Sequence, residues 1–416
     1  MAYNISIYHE TRRVKENGKF SVKIRVYNKH DNKKTVRYFT TGIDLTEKEF
    51  ETIWLNPENK NLRGTNKEIE LKLRAIEKRA NDEAQAMSVF DFSKFETKLF
   101  RKSTDKNNIK YYFNLAIEKN KNIDKIGTAE SYRYTLNSLA NFSELINKCN
   151  IEKLTFNEIT VEWLKAYEKF MINKGKSYTT IGIYTRTLRA VFNNAIEQND
   201  ISNDIYPFGK NKYKIPRTKK VKKALNSIQL KALYESKVEN NKEEEAKDFW
   251  FFSYACNGMN LKDIALLKYS DIDDNKFKYY RAKTFDKSSE KTEITIYLTD
   301  FTAKIIEKYG NENKNGFVFN IISKEDDINT QYKKIKNFNR YINDHIKRIA
   351  KANNLPLDCS FYWARHSFAT NSIRKGVTME FISEALNHSD LNVTKNYFAG
   401  FEDEAKKEFA DSLLDF

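Results

Sequence analysis

Apolar and polar residues alternate one by one near the start of the chain, then give way to a three-to-four-residue repeat that persists almost to its end. Ile5 and Ile7 open the alternation. Phe20, Val22, Ile24 and Val26 continue it against Ser21, Lys23 and Arg25, which defines a strand with one apolar and one basic face. A polar turn from Asn28 to Asn32 leads to a further strand, Lys33 to Thr40, carrying Val36, Arg37, Tyr38 and Phe39, so a three-stranded sheet is expected. Thr46 with Glu49 has the spacing of a capping box, as has Thr65 with Glu68 ahead of the helical set Ile69, Leu73, Ile76 and Ala80. From Thr104 to Ser202 the pattern is all helical. Tyr111, Leu115 and Ile117 mark a first helix, Thr128 caps a second through Leu136 and Phe142, and Thr160 caps a third through Leu164 and Phe170. A fourth runs from Tyr178 to Glu197 and buries Ile181, Leu188, Val191, Phe192 and Ile196.

Pro207, Gly209 and Pro216 then break regular structure, among lysines that make the stretch a basic tether as far as Asn226 and Gln229, the cap of the next helix. Trp250, Phe251, Tyr254 and Ala255 pack a helix that ends at Gly258, and Asn260 with Asp263 caps another, Leu261 to Lys268. A strand from Phe277 to Thr284 places Phe277, Tyr279, Arg281 and Lys283 on one face, the last two about 7 Å apart and matched to a phosphate. Thr292, Ile294, Ile296 and Leu298 form its partner. After helices near Ile305 and from Phe338 to Ala352, Ser360 serves as an N-cap, and Phe361, Ala364, Phe368 and Ser372 recur at helical spacing, so Tyr362 and Arg365 emerge together. A helix opened by Thr378 buries Phe381, Ile382, Ala385 and Leu386 and ends at Asn387, directly before His388. Tyr397 follows. A guanidinium, an imidazole and a phenol within one compact segment suit phosphate chemistry. Beyond it, Phe401, Ala405, Phe409 and Leu413 repeat four apart, as an amphipathic helix with little chain left to pack on.

Charge narrows the partner. With 73 Lys and Arg against 57 Asp and Glu, a net +16, the chain favours a polyanion, nucleic acid first. Lys23, Arg25 and Arg37 on the first sheet are read either as a surface for a DNA groove or as an ordinary solvated face. Lys176, Arg186 and Arg189 border the fourth helix as a phosphate-tracking surface or a wet bundle face, and Lys219, Lys220 and Lys222 of the tether would neutralise phosphates. Length suggests about three domains. Boundaries fall at 1–100, 104–205 and 224–416, with the tether at 206–223. Cys149, Cys256 and Cys359 are far apart without CxxC spacing, which fits a reducing cytosol and argues against structural zinc. No stretch reads as a signal or membrane span, so a cytoplasmic, nucleoid-associated protein is expected.

The strings Asn-Gly-Met-Asn-Leu-Lys-Asp (257–263), Leu-Lys-Tyr-Ser-Asp-Ile (267–272), Arg-Ala-Lys-Thr (281–284), Ala-Arg-His-Ser-Phe-Ala-Thr (364–370), Leu-Asn-His-Ser (386–389) and Tyr397 agree in order and spacing with one known pattern. On them the last two hundred or so residues resemble the catalytic domain of tyrosine recombinases, the phage-integrase family, closest to integrases of conjugative transposons and related mobile elements. The front is less specifically similar to arm-site and core-binding domains. The resemblance implies a multidomain, mainly α fold with small β-sheets: a three-stranded arm-binding sheet, a helical SAM-like core-binding domain and a mixed α+β catalytic domain. It implies cutting and rejoining of double-stranded DNA at core and arm sites through a covalent 3′-phosphotyrosine. Tyr397 would be the nucleophile, Arg365 the second catalytic arginine, His388 the later histidine, and Lys283 the donor to the leaving 5′-hydroxyl. No cofactor, metal or ATP is implied, because the protein–DNA ester keeps the phosphodiester energy. A homo-oligomeric, tetrameric synapse is implied, with the C-terminal helix docked on a neighbouring protomer, as are DNA-bending or excision accessory proteins. Two positions depart from the family. Asn260 stands where its first catalytic arginine is usual, and Tyr362 where it usually has His or Lys. Arg281, by its period-2 spacing from Lys283, is the candidate to supply the missing guanidinium, and Tyr362 to donate one hydrogen bond to a phosphate oxygen or to serve as a packed aromatic. The alternatives are a catalytically impaired DNA-binding regulator and a type IB topoisomerase-like relaxing enzyme.

Overall fold

The computed structural model describes residues 3–30, 33–56, 62–87, 89–101, 103–146, 148–218, 223–285, 291–388, 390–401 and 403–413. They group into two compact units: Met1–Tyr112 with Cys149–Thr160 and Phe192–Tyr206, and Phe113–Lys148 with Val161–Val191 and Pro207–Phe416.

In the first unit the expected sheet forms, with strands β1 (Tyr3–Val14), β2 (Phe20–His30) and β3 (Lys33–Leu45) antiparallel in that order. Ile7 stands opposite Ile24, and Ile24 opposite Phe39, so these three share a face. Helices Gly64–Gln85 and Phe92–Phe100 cover that face with Leu73, Ala80, Ala84, Phe95 and Leu99. Lys23 lies opposite Tyr8 and Thr40, and Arg25 opposite Ser6 and Tyr38, which places both on the other side. Arg37 does not join them. It pairs with Val26 on the helix-covered face, where its guanidinium stacks 5.0 Å over the Phe92 ring. The Thr46–Glu49 capping box is made, but Thr65 lies inside a helix that starts at Gly64 behind an uncapped Arg63. Elsewhere in this unit Arg101 and Asp200 form a buried two-pronged ion pair that Tyr112 joins through its hydroxyl.

In the second unit, helices Ile126–Leu145 and Val161–Asn173 pack through Phe142 against Trp163 and Tyr167, and the Ser138 and Tyr167 hydroxyls lie 2.7 Å apart. Thr128 sits within the first of these rather than capping it; Lys125 holds the N-cap position. Helix Tyr178–Glu197 has the predicted span, with Arg186 and Arg189 exposed and Lys176 exposed just before it. The start of the predicted tether is anchored. Phe208 and Tyr213 are buried, and the Tyr213 hydroxyl donates to Glu168 at 2.5 Å, because two aromatics in a short basic stretch gain more from burial than from solvent. Lys219, Lys220 and Lys222 lie outside the described residues.

The remaining core is built on helix Asn241–Ala255, whose Phe249, Trp250 and Phe252 are fully enclosed by helices Ile328–Ala352 and Trp363–Arg374 and by loops between. A small antiparallel sheet, β4 (Ile272–Asp273), β5 (Lys276–Tyr279) and β6 (Ile294–Tyr297), lies against it. Strand β5 is shorter than expected. It stops at Tyr279, and a turn follows in which the Thr284 and Phe285 amides donate to the Arg281 carbonyl. The Ala282 amide, which a longer ladder would have used, donates instead to the Asp263 carboxylate at 2.9 Å. Arg281 is therefore buried while Lys283 is exposed, and the two do not share a strand face. Near the C-terminus, helix Met379–Ala385 has the predicted Thr378 cap and ends at Asn387 with φ +48°. Phe381 is exposed, since so short a helix turns only Ile382 and Leu386 of its predicted apolar set, with Ser383, fully inward. Helix Asp403–Ser412 exposes Ala405 and Phe409, with Phe401 and Leu413 exposed at its flanks.

Candidate active site

Arg365 is the centre of the site, and a glycine makes its burial possible. Helix Trp363–Arg374 begins with a tight turn, the Trp363 and Ala364 amides donating to the Ser360 and Phe361 carbonyls. Ser360 does not cap it through its side chain; its carbonyl also accepts the Trp250 indole N–H at 3.1 Å. Gly258, at φ +69°, reverses the chain after helix Asn241–Ala255, and a Cβ there would fall 2.7 Å from the Arg365 Cα. Only glycine permits that approach. It delivers the Gly258 carbonyl to within 2.9 Å of Arg365 Nη1, while the Leu386 carbonyl takes Nη2 at 2.8 Å.

Arg281 arrives at the same carbonyl from the turn after β5. Its Nη1 lies 3.4 Å from the Leu386 oxygen and 3.3 Å from that of Asn387. Asn387 Nδ2 in turn donates to the Thr292 carbonyl, which ties the histidine loop to the far side of the hairpin. Both arginines are almost fully buried, and among the described residues the Nε–H of each has no partner. Burial and the neighbouring Arg281 charge lower the Arg365 pKa. Asp263 is a buried carboxyl beside them; burial raises its pKa against the Ala282 amide, Asn260 and the two guanidinium groups. Two buried cations beside a buried acid, with two N–H donors unpaired among the described residues, form a site suited to an anion. Asn260 stands at the N-cap of helix Leu261–Leu266, but its side chain makes no cap bond and donates to Asp263 Oδ2 at 3.3 Å.

His388 completes the positive wall in a neutral form. Arginine can only donate, so the 3.4 Å approach of Arg365 Nη2 to His388 Nε2 makes Nε2 the acceptor, and Nδ1 carries the hydrogen toward Thr394 Oγ1 at 2.9 Å. Burial, then Arg365, Arg281 and Lys283, pull its pKa down to about 3. The Tyr397 ring lies against His388 at 5.0 Å between centroids and against His366 at 4.6 Å, with Arg365 Cζ 5.6 Å from its centre. The Tyr397 and Tyr362 hydroxyl oxygens are 2.5 Å apart. Burial pushes the Tyr397 phenol up, but the Tyr362 hydroxyl and the two arginines outweigh it and leave it below the usual value. Tyr362 moves the other way, raised by burial and by Tyr397.

The structure thus brings Arg365, Arg281, His388, Tyr397 and Tyr362 together. Lys283 stands at the exposed rim, where its charge still reaches His388. Asp263, expected only as a cap partner, and His366 both border the site. An acid within the otherwise apolar run Leu261, Ile264, Ala265 was the available signal for the first, and nothing local marked the second. Among the described residues no group of three or more His, Cys, Asp or Glu is placed to hold a metal ion, and no helix is long and apolar enough to cross a membrane.

Residues 7–96 match the family model of an arm DNA-binding domain, 108–215 that of a phage integrase SAM-like domain, and 216–404 that of the phage integrase family. A tyrosine recombinase of Thermosipho africanus (strain TCF52B) is 27% identical over 239 residues, 57% of this chain and 77% of its own. Among solved structures, the Tn1549 transposon integrase in complex with a circular intermediate DNA is 14% identical at a TM-score of 0.49, covering 74% of this chain and 100% of its own. XerH recombinase bound to its palindromic difH substrate is 17% identical at a TM-score of 0.48, covering 82% and 95%.

Proposed function

Because the chain belongs to the tyrosine recombinases of the phage-integrase family, enzymes of site-specific DNA strand exchange, we propose that it integrates and excises a mobile element with Tyr397 as nucleophile. The observation that carries this is the placement of the Tyr397 phenol beside two buried arginines whose Nε–H donors have no partner among the described residues. A scissile phosphate is the anion such donors would hold. Arg365 and Arg281 hold its non-bridging oxygens and stabilise the charge gathered in the transition state, Arg281 taking the place of the arginine absent at Asn260. The Tyr397 oxygen bonds to phosphorus as the bond to the 5′-oxygen breaks, and Lys283 at the rim gives that oxygen a proton. Neutral His388 accepts a hydrogen bond at Nε2. Tyr362 has one hydroxyl hydrogen to spend beside the same phosphate.

Residues 1–100 are read as the arm-binding domain, 104–205 as the core-binding domain and 224–416 as the catalytic domain, together engaging core and arm sites in a tetrameric synapse. The exposed apolar side chains of Phe401, Phe409 and Leu413 favour docking of the last helix on a neighbouring protomer. Deletion of residues 402–416 should weaken multimer assembly on DNA more than single-site binding; equal loss of both in gel-shift titrations counts against this.

A nicked suicide attachment-site duplex tests the chemistry. The expected result is an SDS-resistant protein–DNA adduct, absent from Tyr397→Phe. Absence of an adduct at every candidate site would favour a DNA-binding regulator, and relaxation of supercoiled DNA without pairing of sites a topoisomerase.

A further inference from the structure

The two phenols of the site meet hydroxyl to hydroxyl. Tyr362 and Tyr397 face each other with oxygens 2.5 Å apart and ring centroids 6.2 Å apart at 59°, so the rings do not stack and the hydroxyls meet. Tyr362 comes from the turn that starts the Arg365 helix, and the Tyr397 backbone carbonyl accepts from Thr370 Oγ1 of that helix at 3.0 Å, so one rigid element sets both partners.

We propose, on the reading that Tyr397 attacks DNA, that Tyr362 is a second phenol of the reaction: it donates its hydrogen to the Tyr397 oxygen, holding it as a phenolate before attack and again when it leaves. Tyr397 gives its own proton to solvent. Its oxygen bonds to phosphorus, the 5′-oxygen departs with the Lys283 proton, and Tyr362 keeps its hydrogen throughout. The opposite assignment, with Tyr362 as the anion, is disfavoured by the surroundings. From the helix Trp363–Arg374 and its first turn, Tyr397 is faced by Arg365, His366 and Tyr362; from the loop after helix Met379–Ala385 by His388; and from the β5 turn by Arg281. Tyr362 is 43% exposed, its ring against His366 at 5.1 Å. The fixed charges thus favour Tyr397 as the anion and leave Tyr362 as the neutral donor.

Full-length protein labelled with 13C at the tyrosine Cζ decides the point without any DNA. The Tyr397 resonance, identified by its loss in Tyr397→Phe, should titrate at a pH about one to two units higher in Tyr362→Phe than in the unsubstituted protein. On a nicked duplex, Tyr362→Phe should form the adduct about ten- to a hundredfold more slowly at pH 7, with the gap closing as pH rises. An unchanged Tyr397 titration would overturn the proposal, as would an adduct on Tyr362 itself in Tyr397→Phe. A protein whose Tyr397 shifts as expected but which cuts no DNA would instead overturn the recombinase assignment and leave the pair intact.

Discussion

Both small sheets of this protein are three-stranded, antiparallel and sequential, yet they place charge by different means. The N-terminal strands run 12, 11 and 13 residues, and their long ladders dictate the side on which each residue lies. The strands of the second sheet run only 2, 4 and 4 residues, and the candidate site begins where pairing stops. Lys23 and Arg25 reach the open face by register alone, whereas Arg281 reaches a buried site because the strand ends at Tyr279 and Asp263 takes the Ala282 amide. A ladder repeats one orientation every second residue; a turn held by a side chain can aim one residue inward and its neighbour out.

That contrast can be broken at its strongest point first. Arg281→Ala should slow cleavage of a suicide substrate about 10²–10³-fold, the loss seen when one donor to a developing oxyanion is removed. Wild-type cleavage by Arg281→Ala while Arg365→Ala is inactive would show that Arg281 replaces nothing. Next comes the close approach that the catalytic region uses where it lacks a ladder. Gly258→Ala must place a Cβ 2.7 Å from the Arg365 Cα at φ +69°, and should cost about 2–4 kcal/mol in denaturant unfolding. A loss under about 0.5 kcal/mol would mean that the backbones move apart freely. The sheet supplies the smallest effects and the clearest sign. On arm-site DNA, Arg25→Ala should reduce the slope of log affinity against log salt by about 0.9. Arg37→Ala should leave that slope alone and cost about 0.5–1 kcal/mol of stability from its lost stacking on Phe92. Interchanged results for the two arginines would mean that DNA meets the sheet on its other side.

Much of the site was legible in the chain. The motif strings singled out Arg365, His388 and Tyr397, and the structure brings those three together. The helix from Tyr178 to Glu197 and the capping boxes at Thr46 and Asn226 were equally readable, because their signals lie within one turn of the helix they start. The misplacements of Arg37 and Arg281 share one cause. The face of Arg37 depends on its partner in β2, and the strand expected to carry Arg281 is cut short by Asp263, eighteen residues earlier in the chain.

What the sequence by itself determined is the set of parts: alternating strands, amphipathic helices, a basic balance, and a phenol, imidazole and guanidinium in a family's order. These follow from local spacing, which a linear chain carries in full. Only the tertiary structure decided that the Gly258 and Leu386 carbonyls would accept from Arg365 Nη1 and Nη2, that Arg281 would converge on the Leu386 carbonyl, and that Tyr362 would meet Tyr397 oxygen to oxygen. Those choices depend on which polar group finds which partner between segments from 21 to 107 residues apart, a competition settled by burial and geometry and invisible to spacing.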